Sequence, residues 1–228
     1  MPIQKNRREL LRFAAASAAA FAANPTAVLA QEPPPFIRKP ETPEQAVQLL
    51  MEGNQRFVTQ AMSSFKADLA AFRKHSEPHQ DPFATVLTCA DSRVPPELVF
   101  DQSLGQLFVV RVAGNFVAPD TIASMEYSGV VVGVKTILVV GHTNCGAIKA
   151  AIEHKPEPGQ ITSLYQYLRP AVLHTEDVTE GSKANARMQA NLLRESSPVL
   201  ADLIKDGKLS IRAAIYDVGS GKVTLLDS

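Results

Sequence analysis

Phe83-Ala84-Thr85-Val86-Leu87-Thr88 runs straight into Cys89-Ala90-Asp91-Ser92-Arg93, and Thr136-Ile137-Leu138-Val139-Val140 runs into Gly141-His142-Thr143-Asn144-Cys145-Gly146. Both apolar runs have strand length and are rich in β-branched residues, the pattern of strands buried on both faces. Gln106–Val112 between them reads the same way. Pro119–Val134 separates the second run from the third, and Ile122, Met125, Glu126 and Val130 predict a helix there, weakened by Gly129 and Gly133. Gly146–His154 predicts another. Strands alternating with helices imply an α/β fold around a mainly parallel sheet.

The same logic extends outward. Residues 161–174 and 183–206 carry helical patterns, the second broken or restarted at Pro198. Leu209–Val218 and Lys222–Leu226 read as strands around the tight turn Gly219-Ser220-Gly221. Upstream, Ala46, Leu49, Leu50, Phe57 and Val58 recur at helical spacing, with Thr42 suited to the N-cap and Pro43 to the first helical position. This helix, about 43–61, needs an apolar surface to dock on. Gln31 to Pro40 holds four prolines and reads as an extended linker, so the division expected is 1–30, linker 31–42 and one domain over 43–228.

Composition bounds the function. The chain has 228 residues, 45% apolar and 20% charged, which excludes wholesale disorder, collagen and coiled coil. With 23 basic and 23 acidic residues there is no charge excess to recruit nucleic acid or an anionic membrane. The charges are unevenly placed, however. Residues 1–30 hold Lys5, Arg7, Arg8 and Arg12 against Glu9 alone, which leaves the remainder at net −3. A mostly alanine stretch, Phe13 to Ala23, follows, then Val28-Leu29-Ala30 as a cleavable end. Asn6-Arg7-Arg8-Glu9-Leu10-Leu11-Arg12 resembles a twin-arginine export signal, with Asn where Ser or Thr is usual and Leu where Phe is common. The resemblance implies use of the twin-arginine export machinery and a periplasmic or secreted protein. No later run reaches about 18 apolar residues, so no stable membrane span is expected.

Both cysteines fall just past predicted strand ends, where sites form in open parallel sheets. If the two strands are neighbours, Cys89, His142 and Cys145 converge. Two sulfurs and one nitrogen suit Zn²⁺ and leave one tetrahedral position open. Asp91 is close enough to be a fourth ligand or to orient a metal-bound water. Alternate residues of an extended segment share a face, so Arg93 could hold Asp91 in a bidentate pair and keep it ionised. From the residues alone, a disulfide between the two cysteines and a pair of inert buried thiols stay open beside the metal.

Cys89-Ala90-Asp91-Ser92-Arg93-Val94-Pro95 together with Gly141-His142-Thr143-Asn144-Cys145-Gly146-Ala147 resembles the signature pair of the β-class carbonic anhydrases. Phe108-Val109-Val110-Arg111-Val112-Ala113-Gly114-Asn115, Met125-Glu126-Tyr127 and Ala213-Ala214-Ile215-Tyr216-Asp217-Val218 extend the resemblance over most of 43–228. It implies a four-stranded parallel core with an added edge strand, flanked by helices. It also implies one Zn²⁺ per chain on Cys89, His142 and Cys145, with reversible hydration of CO₂ to bicarbonate and a proton. Asp91 is then either the fourth ligand of a resting form or the active carboxylate, released by pairing with Arg93. The N-terminal helix is expected to embrace a partner subunit, giving a homodimer or larger assembly with the cleft at the interface.

The plant-like branch lines its pocket with a Gln, a Phe and a Tyr at offsets met here by Gln80, Phe108 and Tyr127. Gln80 would bind bicarbonate, aided by the backbone near Gly146, and the two rings would wall the CO₂ pocket. Each of the three also has an ordinary reading, Gln80 as a solvated loop residue and the rings as core. Another branch builds an inhibitory bicarbonate site from a Trp and a Gly; Val86 and Thr88 stand at those positions, so that site is not carried over. His75, His79, His154 and His174 are candidate proton carriers, each equally readable as a surface histidine. Hydrolysis of CS₂ or COS on the same scaffold, and a non-catalytic zinc module, are the alternatives.

Overall fold

The computed structural model of the protein describes residues 39–64, 79–154 and 156–227. The predicted export signal, linker residues 31–38 and His75 lie outside the described residues. The described elements fall in one unit, Pro35–Ser228. Their order is α1 (Pro43–Val58), β1 (Ala84–Thr88), α2 (Pro96–Val99), β2 (Leu107–Arg111), α3 (Pro119–Tyr127), β3 (Thr136–His142), α4 (Gly146–Ile152), α5 (Tyr165–Val172), α6 (Val178–Ser196), α7 (Pro198–Lys205), β4 (Ser210–Tyr216) and β5 (Val223–Leu226). None of the described helices is long and apolar enough to cross a membrane.

One five-stranded sheet runs β2-β1-β3-β4-β5. The first four strands are parallel, and β5 returns antiparallel after the Gly219-Ser220-Gly221 turn. β1 and β3 are fully buried, and their side chains alternate between two cores as period-two strands must. Val86, Leu138 and Val140 meet Ala46 and Leu50 of α1 on one face. Leu87, Ile137 and Val139 meet Ala186, Ala190 and Leu193 of α6 and Leu200 of α7 on the other. A third apolar cluster, including Phe116, Ile148, Tyr165 and Leu168, closes over the strand ends around Cys89 and Cys145.

Several expectations shift. α1 begins where predicted, with Thr42 and Gln45 forming a reciprocal capping box and Pro43 at its start, but ends at Val58. Its apolar face docks on its own sheet, and Gly53 is needed there because an added Cβ would stand 1.8 Å from the Phe100 carbonyl oxygen. β2, predicted to be buried on both faces, is an edge strand of half-buried residues ending in exposed Arg111. Apolar content reports how much surface wants covering, not how many strands supply the cover. The helix after it is α-helical only to Tyr127, then widens to a π-turn over Ser128–Val132 that closes at left-handed Gly133. Residues 161–164 form a 3₁₀ turn ahead of α5. α6 starts at Val178, earlier than predicted, because Asp177 caps it through the Glu180 amide. Pro198 does restart the chain as α7, with Ser197 as its cap.

Candidate metal centre

β1 and β3 are adjacent and in register, Thr88 opposite Val140, so both loops leave the same edge of the sheet. β3 continues two residues past the predicted end because Gly141 and His142 pair with Ile215 and Tyr216 of β4. Gly141 lies so close to α6 that a Cβ would come within 2.7 Å of the Ser182 carbonyl oxygen. Beyond His142, Thr143 and Asn144 form a tight turn, with Asn144 in the left-handed region at φ 55°. Asn tolerates that conformation better than most residues. The turn brings Cys145, at the start of α4, back toward His142.

The result is convergence. The two sulfurs and an imidazole nitrogen of His142 all lie within 4.8 Å of one another, and all three residues are buried. The cysteines are free, which removes the disulfide reading. His142 Nδ1 bonds the Thr143 carbonyl oxygen at 2.9 Å, which leaves Nε2 as the inward nitrogen. That Nε2 is buried and has no hydrogen-bond partner among the described residues. A buried acceptor is rarely left unsatisfied, and a cation between it and the two sulfurs would satisfy it. Zinc bonds of about 2.0–2.3 Å suit a donor set this compact.

The sulfurs are unequal. Cys89 Sγ accepts from the Gly114 and Asp91 amides at 3.3 and 3.4 Å. Contact with the Cys145 thiol, then with His142 and those amides, pulls the Cys89 thiol well below its ordinary range. Cys145 is pushed up because Cys89 takes the charge and because it is deeply buried. A bound cation deprotonates coordinating thiols outright and so overrides this division.

Asp91 pairs with Arg93 as predicted, but for a different reason. The segment is a turn, closed by the Val94 amide on the Asp91 carbonyl, and the Arg93 amide itself donates to Asp91 Oδ1 at 2.9 Å. Arg93 Nε and Nη2 grip Oδ1 and Oδ2 at 2.9 and 2.8 Å, and Nη2 also reaches the Asn144 carbonyl oxygen at 3.1 Å. The Arg93 side chain, followed by its backbone amide, holds the Asp91 carboxyl far below the usual carboxylate range. Asp91 in turn raises Arg93. Oδ2 still stands 3.9 Å from His142 Nε2, at the mouth of the three-donor group. Arg111 was not singled out from the sequence: its Nε and Nη2 donate to the carbonyl oxygens of Cys89 and Asp91 at 3.0 and 2.6 Å. Its only signal was a lone charge in an apolar strand.

The pocket candidates are not gathered by one chain. Gln80 is exposed ahead of β1, at the far end of that strand from Cys89. Phe108 pairs in register with Thr85, three residues short of Thr88, which is about 10 Å along a strand. It leans on Tyr127 with ring centroids 6.2 Å apart, and Tyr127 is 46% exposed, so that ring is not ordinary core. Gly146 follows Cys145 directly, and nothing among the described residues lies within 4 Å of where a Cβ would stand on it. His79, His154 and His174 are surface residues.

A family model described as carbonic anhydrase matches residues 84–223. Carbonic anhydrase 2 of Mycobacterium tuberculosis is 32% identical over 200 residues, covering 81% of this chain and 93% of that protein. The carbonic anhydrase of Synechococcus elongatus is 31% identical over 193 residues, covering 76% and 69%. Among solved structures, the β-carbonic anhydrase CcaA matches with a TM-score of 0.64 at 29% identity, covering 79% of this chain and 95% of that one. The Coccomyxa β-carbonic anhydrase in complex with acetazolamide matches at 0.63 and 28%, covering 78% and 84%.

Proposed function

The chain belongs to the β-class carbonic anhydrase family, whose members are zinc enzymes, and from that premise we propose that Cys89, His142 and Cys145 hold the zinc while Asp91 and Arg93 serve the reaction. The reaction is the reversible hydration of CO₂ to bicarbonate and a proton. The observation that carries the assignment of ligands is the partnerless Nε2 of His142 facing two free thiols.

Zinc, when bound, supplies the Lewis acidity that makes water nucleophilic near neutral pH. The protein's part is placement. Asp91, kept ionised by Arg93, offers Oδ2 at the mouth of the group as acceptor for a hydrogen of the attacking water. That bond orients the water's lone pair toward the carbon of CO₂. Because Arg93 grips both Asp91 oxygens, the carboxylate is held as a hydrogen-bond acceptor rather than as a fourth ligand, with Oδ2 keeping room for one more hydrogen. The Gly146 backbone, next to Cys145 and unobstructed within 4 Å of its hypothetical Cβ, would stabilise the oxygen that gains charge.

A homodimer or larger assembly is part of the proposal. Edge strand β2 is half-buried, and Leu104, Tyr127, Val130 and Val131 are exposed by 46–67%. A second copy on that edge would cover them and give Gln80, Phe108 and Tyr127 a cleft to line. Val131→Glu should yield monomers by light scattering; an unchanged assembly removes the β2 edge as the interface. Export through the twin-arginine route is proposed on residues 5–30 alone, and cell fractionation with Arg7→Lys and Arg8→Lys tests it.

The central test is zinc content alongside CO₂ hydration. One zinc per chain is expected, lost in Cys145→Ser; retention of full zinc by that variant would overturn the ligand set. A CS₂ assay beside it separates the family's reaction from the alternative chemistry.

A further inference from the structure

Two amide side chains lie at the centre of α6, facing the metal end of the sheet. Asn185 and Gln189, four residues apart, are 0% and 1% exposed on a helix face otherwise made of small and apolar residues. Burying amides costs free energy unless every polar atom is used, and an apolar pair would pack there without that cost. Here they are used on each other and on two neighbouring stretches of backbone. Asn185 Nδ2 donates to the Gly114 carbonyl oxygen at 2.9 Å. Gln189 Nε2 donates to Asn185 Oδ1 at 3.0 Å and to the Tyr167 carbonyl oxygen at 3.2 Å. Its Oε1 accepts from the Val117 amide at 2.9 Å. The loop between β2 and α3 is thus held at Gly114 and Val117 by one helix.

Gly114 is the link to chemistry, since its N–H, one peptide plane before the carbonyl that Asn185 grips, donates to Cys89 Sγ at 3.3 Å. Gly114 has φ +83°, and a Cβ there would come within 2.8 Å of Leu168, so the loop is pressed into place from the α5 side as well. We propose that Asn185, braced by Gln189, is a positioning residue for the Cys89 sulfur: it aims the Gly114 N–H at Sγ and so sets the donor strength of one thiolate. The proposal rests on Cys89 being a zinc ligand. Two thiolates nearly cancel the charge of a divalent cation, so an N–H drawing electron density from one sulfur leaves the metal more acidic.

The test compares Asn185→Leu, which leaves the Gly114 carbonyl without its donor, with Gln189→Glu, which keeps the bond from Val117 but loses both donated ones. Zinc affinity is read by chelator competition, sulfur donor strength by the sulfur-to-metal charge-transfer band of the cobalt(II)-substituted protein, and turnover by kcat and KM separately. Asn185→Leu should weaken zinc binding about 10- to 100-fold, shift the cobalt band to longer wavelength, and lower kcat with KM unchanged. Gln189→Glu should move each readout the same way by less, and it carries the test alone if Asn185→Leu does not fold. A lowered melting temperature with zinc affinity within twofold and an unmoved band would reduce both residues to packing and overturn the proposal. Cys89→Ser separates the two layers: if it keeps one zinc per chain with an unaltered cobalt band, the ligand assignment itself has failed.

Discussion

Asp91 and Asp101 sit on the same connection between β1 and β2, and each is an ionised carboxylate gripped by an arginine. They do opposite things. Asp101 has a fully buried side chain and receives five donors: Arg56 Nε, and the backbone amide and hydroxyl of both Ser63 and Ser64. Burial pushes its pKa up, but the bonds from Ser64, Arg56 and Ser63 outweigh it and hold the group at about 2. Both oxygens are consumed in tying the chain after α1 to the sheet. Asp91 is 19% exposed, has Arg93 as its side-chain partner, and keeps Oδ2 within 3.9 Å of His142 Nε2. A depressed carboxylate beside an arginine therefore does not by itself mark a catalytic group. What marks it is an oxygen with room left for another hydrogen beside a set of metal donors.

That contrast can be broken most forcefully at Asp91. Asp91→Asn should cut CO₂ hydration by about 100-fold or more, with zinc retained and the melting temperature little changed; near-normal turnover would remove its role. Asp101→Asn should do the reverse, lowering folding stability by about 3 kcal/mol in urea titrations while kcat per folded molecule stays at the parent value. Arg93→Lys keeps the charge but loses the bidentate grip, and hydration should fall roughly tenfold. The smallest effect is in acid. Because the folded-state pKa of Asp101 is depressed, its contribution is complete above the ordinary carboxylate range and is lost as pH falls through about 2. Asp101→Asn should flatten the decline in urea midpoint between pH 5 and 2 relative to the parent; parallel curves would show that Asp101 is not a source of acid sensitivity.

The legibility of these features follows their distance along the chain. The Asp91–Arg93 pair spans two residues, so composition and spacing revealed it, although turn geometry rather than strand alternation brings the groups together. The clamp on Asp101 joins residues about 40 positions apart and left no motif. Arg111 on the Cys89 loop and Asn185 on Gly114 were equally silent, since each reaches across the fold to a backbone carbonyl that any residue presents. The apolar run of β2 does not disclose its exposure, because being an edge strand is a property of the sheet order.

The sequence by itself determined which segments become strands, because apolar, β-branched runs bounded by turn residues have few other stable states. It also determined the donor chemistry, since Cys, His and Cys carry their metal preference wherever they meet. Only the tertiary structure decided that they meet. Pairing of β1 with β3 in register delivers two loops more than 50 residues apart to one edge, and the free energy that enforces it comes from apolar surface buried on both faces of those strands. The same packing aims the Gly114 amide at one sulfur and leaves a single imidazole nitrogen facing inward without a partner.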